Sequence, residues 1–211
     1  MTITNGYLTT TELQDYVGRN EARDTAELED VITSASRLID RFCGRHFWQA
    51  TATTRKFDSP DGYNVQLGPY NDLVSATTVA YDTNDDGTYD ATLTATEYQL
   101  LPSDAATRGP VAEPFTALRL LSLSAAFQTA PAPSGRTGLI TITGTFGWPA
   151  VPPEVKQACR ILGAELYKMA DSPMGAIGMG EFGVMRVSST LPARARQLLM
   201  PFRHPLNFGA A

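Results

Sequence analysis

The chain has 211 residues, 43% of them apolar and 18% charged, and a formal net charge of −5. Such a length and apolar share exclude a disordered chain and suit one that buries a substantial core. The acidic balance excludes a subunit that grips nucleic acid through a dense basic surface.

The opening stretch MTITNGYLTTTELQ has neither a basic n-region nor an apolar h-region, and no run approaches the roughly 18 apolar residues of a membrane span. A soluble protein that is not exported by a signal peptide is therefore expected. In LTTTELQDYVG, Thr9 is placed to cap a helix with Glu12 answering three residues later, Leu8 to staple onto Leu13, and Gly18 to stop it in the left-handed region. Asp24 and Glu27 open a second capping pattern. Leu28, Val31, Ile32, Ala35, Leu38, Ile39 and Phe42 then recur at three- and four-residue steps, which predicts a helix over 25–43 closed by Gly44. The carboxylates of Glu27, Glu29 and Asp30 fall in its first turn, where the helix dipole accounts for them.

From Thr51 to Pro149 the period changes. LVSATTVAYD, EYQLL, ALRLL and LITITGTFG are short runs bounded by Gly, Pro, Asn and Asp, so the stretch reads as β, with PSDAATRGPVAEP and QTAPAPSGRTG as loops. Within it, DTNDDGTYD sets Asp82, Asn84, Asp86, Thr88 and Asp90 at positions 1, 3, 5, 7 and 9 of a calcium loop, with Gly87 at position 6. The twelfth position is Leu93 instead of the bidentate Glu, and the flanks read as strands. A polar Asp-Gly hairpin turn is the favoured reading and weak calcium binding the other.

Helical spacing returns after Pro152 and Pro153, where Val155, Cys159, Leu162, Leu166 and Met169 line one face as far as Asp171. Leu191, Ala195, Leu198, Leu199 and Phe202 predict a last short helix, opened by Pro192 and disturbed at Pro201. The fold class is α+β: a small helical bundle of two N-terminal helices, a long third helix and a short C-terminal helix, carrying a β-rich insertion. Residues 1–50 and 150–211 are assigned to the helical core and 51–149 to the insertion.

GMGEFG, residues 178–183, has the glycine spacing of a dinucleotide-binding turn, which also needs a strand before it and a helix opening inside it. A helix end and a Ser-Pro turn precede it here and the alternating VMRVSS follows, so no nucleotide is expected. Met174, Ile177, Met179, Phe182 and Met185 instead set apolar knobs among glycines. A segment that apolar folds onto its own core or packs on a neighbour, and the neighbour is favoured. Cys43 and Cys159 sit at apolar-face positions of helices and read as buried free thiols; Cys43 with His46 reads as two faces of a helix end in preference to a zinc site. No G-x-S-x-G elbow occurs and no serine matches a histidine with its orienting acid, so neither an enzyme nor a cofactor is expected.

YLTTTELQDYVG, LIDRFCGRHF, FGWPAVPPEVKQACRILGAELYKMADSPMG and GMGEFGVMRVS, taken together, resemble the head-to-tail connector family of long-tailed double-stranded DNA bacteriophages, also called adaptor or head-completion proteins. The likeness covers both ends of the chain, while residues 51–138 match only as a β-rich insertion. It implies a structural virion protein that forms a ring of about a dozen copies beneath the portal, extends the DNA channel and offers a platform to stopper or tail proteins. It also implies that the segment from Asp171 to Ser188 is a subunit contact or channel loop. The tail carrying Phe202, Arg203, His204 and Phe208 would dock into the portal, and deleting residues 201–211 would abolish that docking with the fold intact. Double-stranded DNA would pass through without specific binding: twelve copies at −5 each carry about −60, which repels phosphate. The alternatives are another ring-forming neck or tail-terminator protein, and a calcium- or nucleotide-dependent enzyme.

Overall fold

The chain divides into two units, a helical one from residues 1–44 and 151–208 and a β one built chiefly from residues 45–150. The computed structural model describes residues 3–18, 25–59, 63–109, 111–121, 138–170, 176–178, 184–186 and 191–205.

The helical unit opens with α1 (Thr10–Val17), whose start and stop are both local chemistry. The Thr9 hydroxyl accepts from the Glu12 N–H at 3.2 Å while a Glu12 carboxylate oxygen accepts from the Thr9 N–H at 2.8 Å, so two of the donors that a helix start leaves orphaned are satisfied. Leu8 and Leu13, the staple pair, are both buried. At the other end Gly18 takes φ 70° and donates to the Gln14 carbonyl.

Helix α2 (Thr25–Cys43) and helix α3 (Pro153–Ala170) pack along each other, with α1 laid against both. The seam of α2 is Leu28, Ile32, Ala35, Ile39 and Cys43, and it meets Val155, Cys159 and Leu162 of α3, all buried. Gly163 is what lets α1 close on α3: a Cβ there would stand 3.0 Å from Leu13 Cδ1. Two polar residues share the seam. Ser36 accepts from the Tyr7 N–H at 3.1 Å and donates to the Ile32 carbonyl at 2.7 Å; Asp40 accepts from the Tyr7 hydroxyl and pairs with Arg37 at 3.2 Å. The expected apolar face of α2 is correspondingly narrower, because Ser36 and Asp40 occupy its centre. Val31 and Phe42 lie half-buried at its edges and Leu38 is 37% exposed.

Helix α4 (Ala193–Leu199) follows Pro192, buries Ala195 and Leu199, and runs into a 3-10 turn over Met200–Phe202 that contains Pro201. The expected bundle of two N-terminal helices, a long third and a short last one is therefore present.

In the β unit, β1 (Ala50–Phe57), β3 (Leu73–Tyr81), β4 (Ala91–Leu93) and β7 (Ile140–Phe146) form an antiparallel sheet in the order β1-β7-β3-β4. A second antiparallel sheet, in the order β2-β6-β5, is made by β2 (Asn64–Gln66), β5 (Tyr98–Leu101) and β6 (Ala117–Leu120). The bridge between Leu73 and Phe115 ties the sheets, with each residue's N–H donating to the other's carbonyl at 2.9 and 2.7 Å. One core fills the space between the sheets, from Phe57, Val65 and Leu73 to Leu118, Ile142 and Phe146. The four runs read as strands in the sequence supply β3, β5, β6 and β7.

Residues 176–178 and 184–186 form an antiparallel hairpin, β8 (Ala176–Gly178) and β9 (Val184–Arg186), with Ile177 opposite Met185. The segment just before Gly178 is thus strand where a helix end and turn were expected. Residues 179–183 of the G-x-G-x-x-G stretch lie outside the described residues.

Candidate functional site

A buried polar cluster of the β unit lies where its chain enters and leaves, at residues 45–49 and 146–150. Asp72, only 1% exposed, pairs with Arg45 at 3.2 Å and accepts the indole N–H of Trp148 at 3.2 Å. Its own backbone carbonyl accepts the Gly147 N–H at 2.7 Å. The Arg45 guanidinium also sits over the Trp148 ring, 5.5 Å from its centroid, and Phe47 tilts against the same ring at 5.2 Å. Gln49 donates to the Pro149 carbonyl at 2.9 Å, so the two ends are clasped. Gly147 holds φ 110°, and a Cβ there would overlap the Trp48 carbonyl. The Gly-Trp-Pro stretch is thereby explained: the glycine for a backbone that residues with a side chain rarely adopt, the tryptophan for the buried carboxylate.

Burial raises the Asp72 carboxyl to about 6, outweighing the opposing pull of Arg45, the Trp148 hydrogen bond, His46 and Arg55. His46 lies between Trp48 and Tyr70, with ring centroids 5.1 and 4.9 Å away. Nothing in the linear sequence flagged Asp72 or Arg45, because a buried ion pair leaves no periodic trace.

Asp82 is the hub of the loop with calcium-like spacing. One of its carboxylate oxygens accepts from the N–H groups of Asn84, Asp85 and Asp86 at 3.2, 2.6 and 3.3 Å, and the other from Gly87 N–H at 2.7 Å. Burial pushes its pKa up, but those four N–H donors prevail and hold it below the usual carboxylate value. Asp90 accepts from the hydroxyl and N–H of Thr83 at 2.7 and 3.2 Å, and Asp86 accepts from the Asn84 amide at 3.1 Å and the Thr88 N–H at 2.7 Å. The oxygens of the candidate set thus face the loop's own donors. Among the described residues no three His, Cys, Asp or Glu side chains gather as a metal site would require.

In the C-terminal segment His204 is buried, 2% exposed, and its N–H donates to the Cys43 carbonyl at 2.8 Å; Arg203 lies over the Phe42 ring at 5.2 Å. Phe202 and Arg203 are half-buried, and Phe208 lies outside the described residues. These contacts bear on the deletion expected to spare the fold. Removing residues 201–211 would strip a buried histidine and an N–H donor from the end of α2, so the deletion carries a stability cost beside any loss of docking. Of the residues singled out near the glycines, Ile177 and Met185 are backbone register partners in the β8-β9 hairpin, while Met174, Met179 and Phe182 lie outside the described residues.

Both cysteines are buried and neither forms a disulfide. Cys159 touches Ser36 Oγ at 3.7 Å, and burial pushes its thiol up to about 12, far from nucleophilic use at neutral pH. Among the described residues no helix is long and apolar enough to cross a membrane.

No protein-family model matches the chain, and no curated protein does. Solved structures do. A chain in the neck of an empty gene transfer agent particle, computed with C6 symmetry, is 17% identical and superposes with a TM-score of 0.52, covering 96% of this chain and 92% of that one. A chain in the virion of a native gene transfer agent particle is also 17% identical, with a TM-score of 0.53 and the same coverage of both chains. The shared property is the fold, over nearly the whole of each chain.

Proposed function

We propose that this chain is a non-enzymatic structural adaptor of a virion neck, lying between capsid and tail after synthesis in the bacterial host cytoplasm. The observation that carries the reading is the extent of the fold likeness to a neck chain, 96% of one and 92% of the other, with the β-rich insertion included. It agrees with the resemblance of both chain ends to head-to-tail connectors. The likeness to a neck computed with C6 symmetry supports a homo-oligomeric ring, since rings of six and of twelve both obey that symmetry. In this reading twelve copies sit under the portal, extend the channel through which double-stranded DNA passes, and offer a platform to a stopper or tail-completion protein. The segment from Met174 to Met185 serves as a subunit contact or channel loop. Phe202, Arg203 and Phe208 engage the portal, with buried His204 anchoring the base of that tail.

Mixing the purified chain with its portal and imaging by negative stain tests the proposal. A ring capping one face of the portal is the expected outcome, and it should vanish for a chain cut after Pro205, which keeps the His204 contacts. Rings that ignore the portal and bind tail-tube protein would make it a tail terminator; turnover of any substrate by the purified chain would overturn the structural reading.

A further inference from the structure

The helical unit carries two surfaces of opposite character. Between α2 and α3 lies a groove of about 430 Å³ lined by Glu27, Asp30, Val31, Ser34 and Leu166. Its rim is acidic and its floor apolar, because Val31 and Leu166 are the apolar positions that the narrow seam leaves half-buried. On α4, by contrast, Arg194 and Arg196 are exposed, and Met200 follows with 44% of its surface exposed. The last turn of α4 sits at the far end of α2, where the Cys43 thiol points at the Leu199 carbonyl 4.0 Å away. From Ser34 to Cys43 is roughly 14 Å along the helix at 1.5 Å per residue, so one subunit cannot close its own groove with its own α4.

We infer that α4 of one copy seats in the α2-α3 groove of the next, resting on the ring reading above. Arg196, one turn before Met200 and on the same side of the helix, meets Glu27 and Asp30, and Met200 fills the apolar gap between Val31 and Leu166. Methionine suits such a gap because its unbranched, polarisable chain adapts to irregular apolar walls. Two different patches on one subunit make the contact heterologous, and a heterologous contact continues from copy to copy instead of stopping at a dimer, giving a ring where its rotation closes.

The test is a charge exchange in the full-length chain, read by native mass spectrometry and negative stain with portal present. E27R/D30R and R196E should each lose the ring, and mixing the two should restore it, because each variant then supplies the other's missing sign. S34C/M200C treated with a short bismaleimide should give a ladder of multimers, while S34C alone and M200C alone stay monomeric, the native thiols being buried. Rings that survive both reversals, or that form without a ladder, overturn the inference and leave the adaptor reading standing. Failure of the unaltered chain to form rings under any of these conditions overturns both.

Discussion

Stability should fall, not rise, as pH climbs from 4 to 7 through the titration of Asp72. The carboxyl moves from a usual 3.8 to about 6 on folding. Between those values the folded chain keeps a proton that the unfolded chain has lost, so the stabilising effect of the neutral acid is complete below about 4 and gone above about 6. Roughly two pKa units at 1.36 kcal/mol each give about 3 kcal/mol. Carboxylates held below their usual value, such as Glu12 by the Thr9 N–H and Asp104 by Arg108, act in the opposite sense, losing their contribution as pH falls through the lower end of this range and below, and comparison with D72N removes them. Glu165, raised by burial, slopes the same way as Asp72, and comparison with D72N removes it. The Asn variant has no proton to lose, and its cost from leaving Arg45 without an anion grows with neither acid nor base. Urea unfolding followed by tryptophan fluorescence at half-unit pH steps measures both curves. The unaltered chain should lose about 3 kcal/mol relative to D72N between pH 4 and pH 7. Parallel curves, or a relative gain, would show that Arg45 overrides burial and that the reasoning about this cluster is wrong.

Y7F removes the hydroxyl that donates to buried Asp40 and should cost about 1–3 kcal/mol in the same unfolding assay, since a buried carboxylate then loses a donor. G147A combines a φ of 110° with overlap on the Trp48 carbonyl and should destabilise by several kcal/mol, on the order of 3 or more, while G144A at another tight backbone approach gives a second reading of the same effect. Millimolar calcium should leave the melting temperature where magnesium leaves it, because Asp82 is engaged by its own loop; a calcium-specific rise of several degrees would restore Asp82, Asn84, Asp86, Thr88 and Asp90 as ligands. D82A should lower the melting temperature even without metal, since four backbone N–H groups lose their acceptor.

Features written in neighbouring residues were legible in the sequence. The Thr9–Glu12 box, the Gly18 stop and the Pro153 start are each fixed by chemistry within a few positions, and the strands β3 and β7 announce themselves by alternation between turn residues. Periodicity misled on α2, where it counted Leu38 and passed over Ser36 and Asp40. Hydrophobic spacing has no way to register a polar residue whose partner, Tyr7, lies on a different segment. Hidden too was the Arg45–Asp72–Trp148 cluster, whose carboxylate and indole stand 76 residues apart. The short strand Ala176–Gly178 was missed because three residues carry no measurable period and depend on their partner strand. The groove between α2 and α3 is a product of packing: Glu27 and Leu166 meet only once the helices have paired.

Cys159, with its proton held to about pH 12 and its sulfur buried in the seam of α2 and α3, bears on how the chain meets oxidants. Only the anionic form of sulfur attacks peroxide or another protein's sulfur, and here that form is vanishingly rare at any environmental pH. A chain whose Cys159 stays protonated and enclosed resists oxidation at that sulfur in aerated solution and offers it to no other chain for a covalent link.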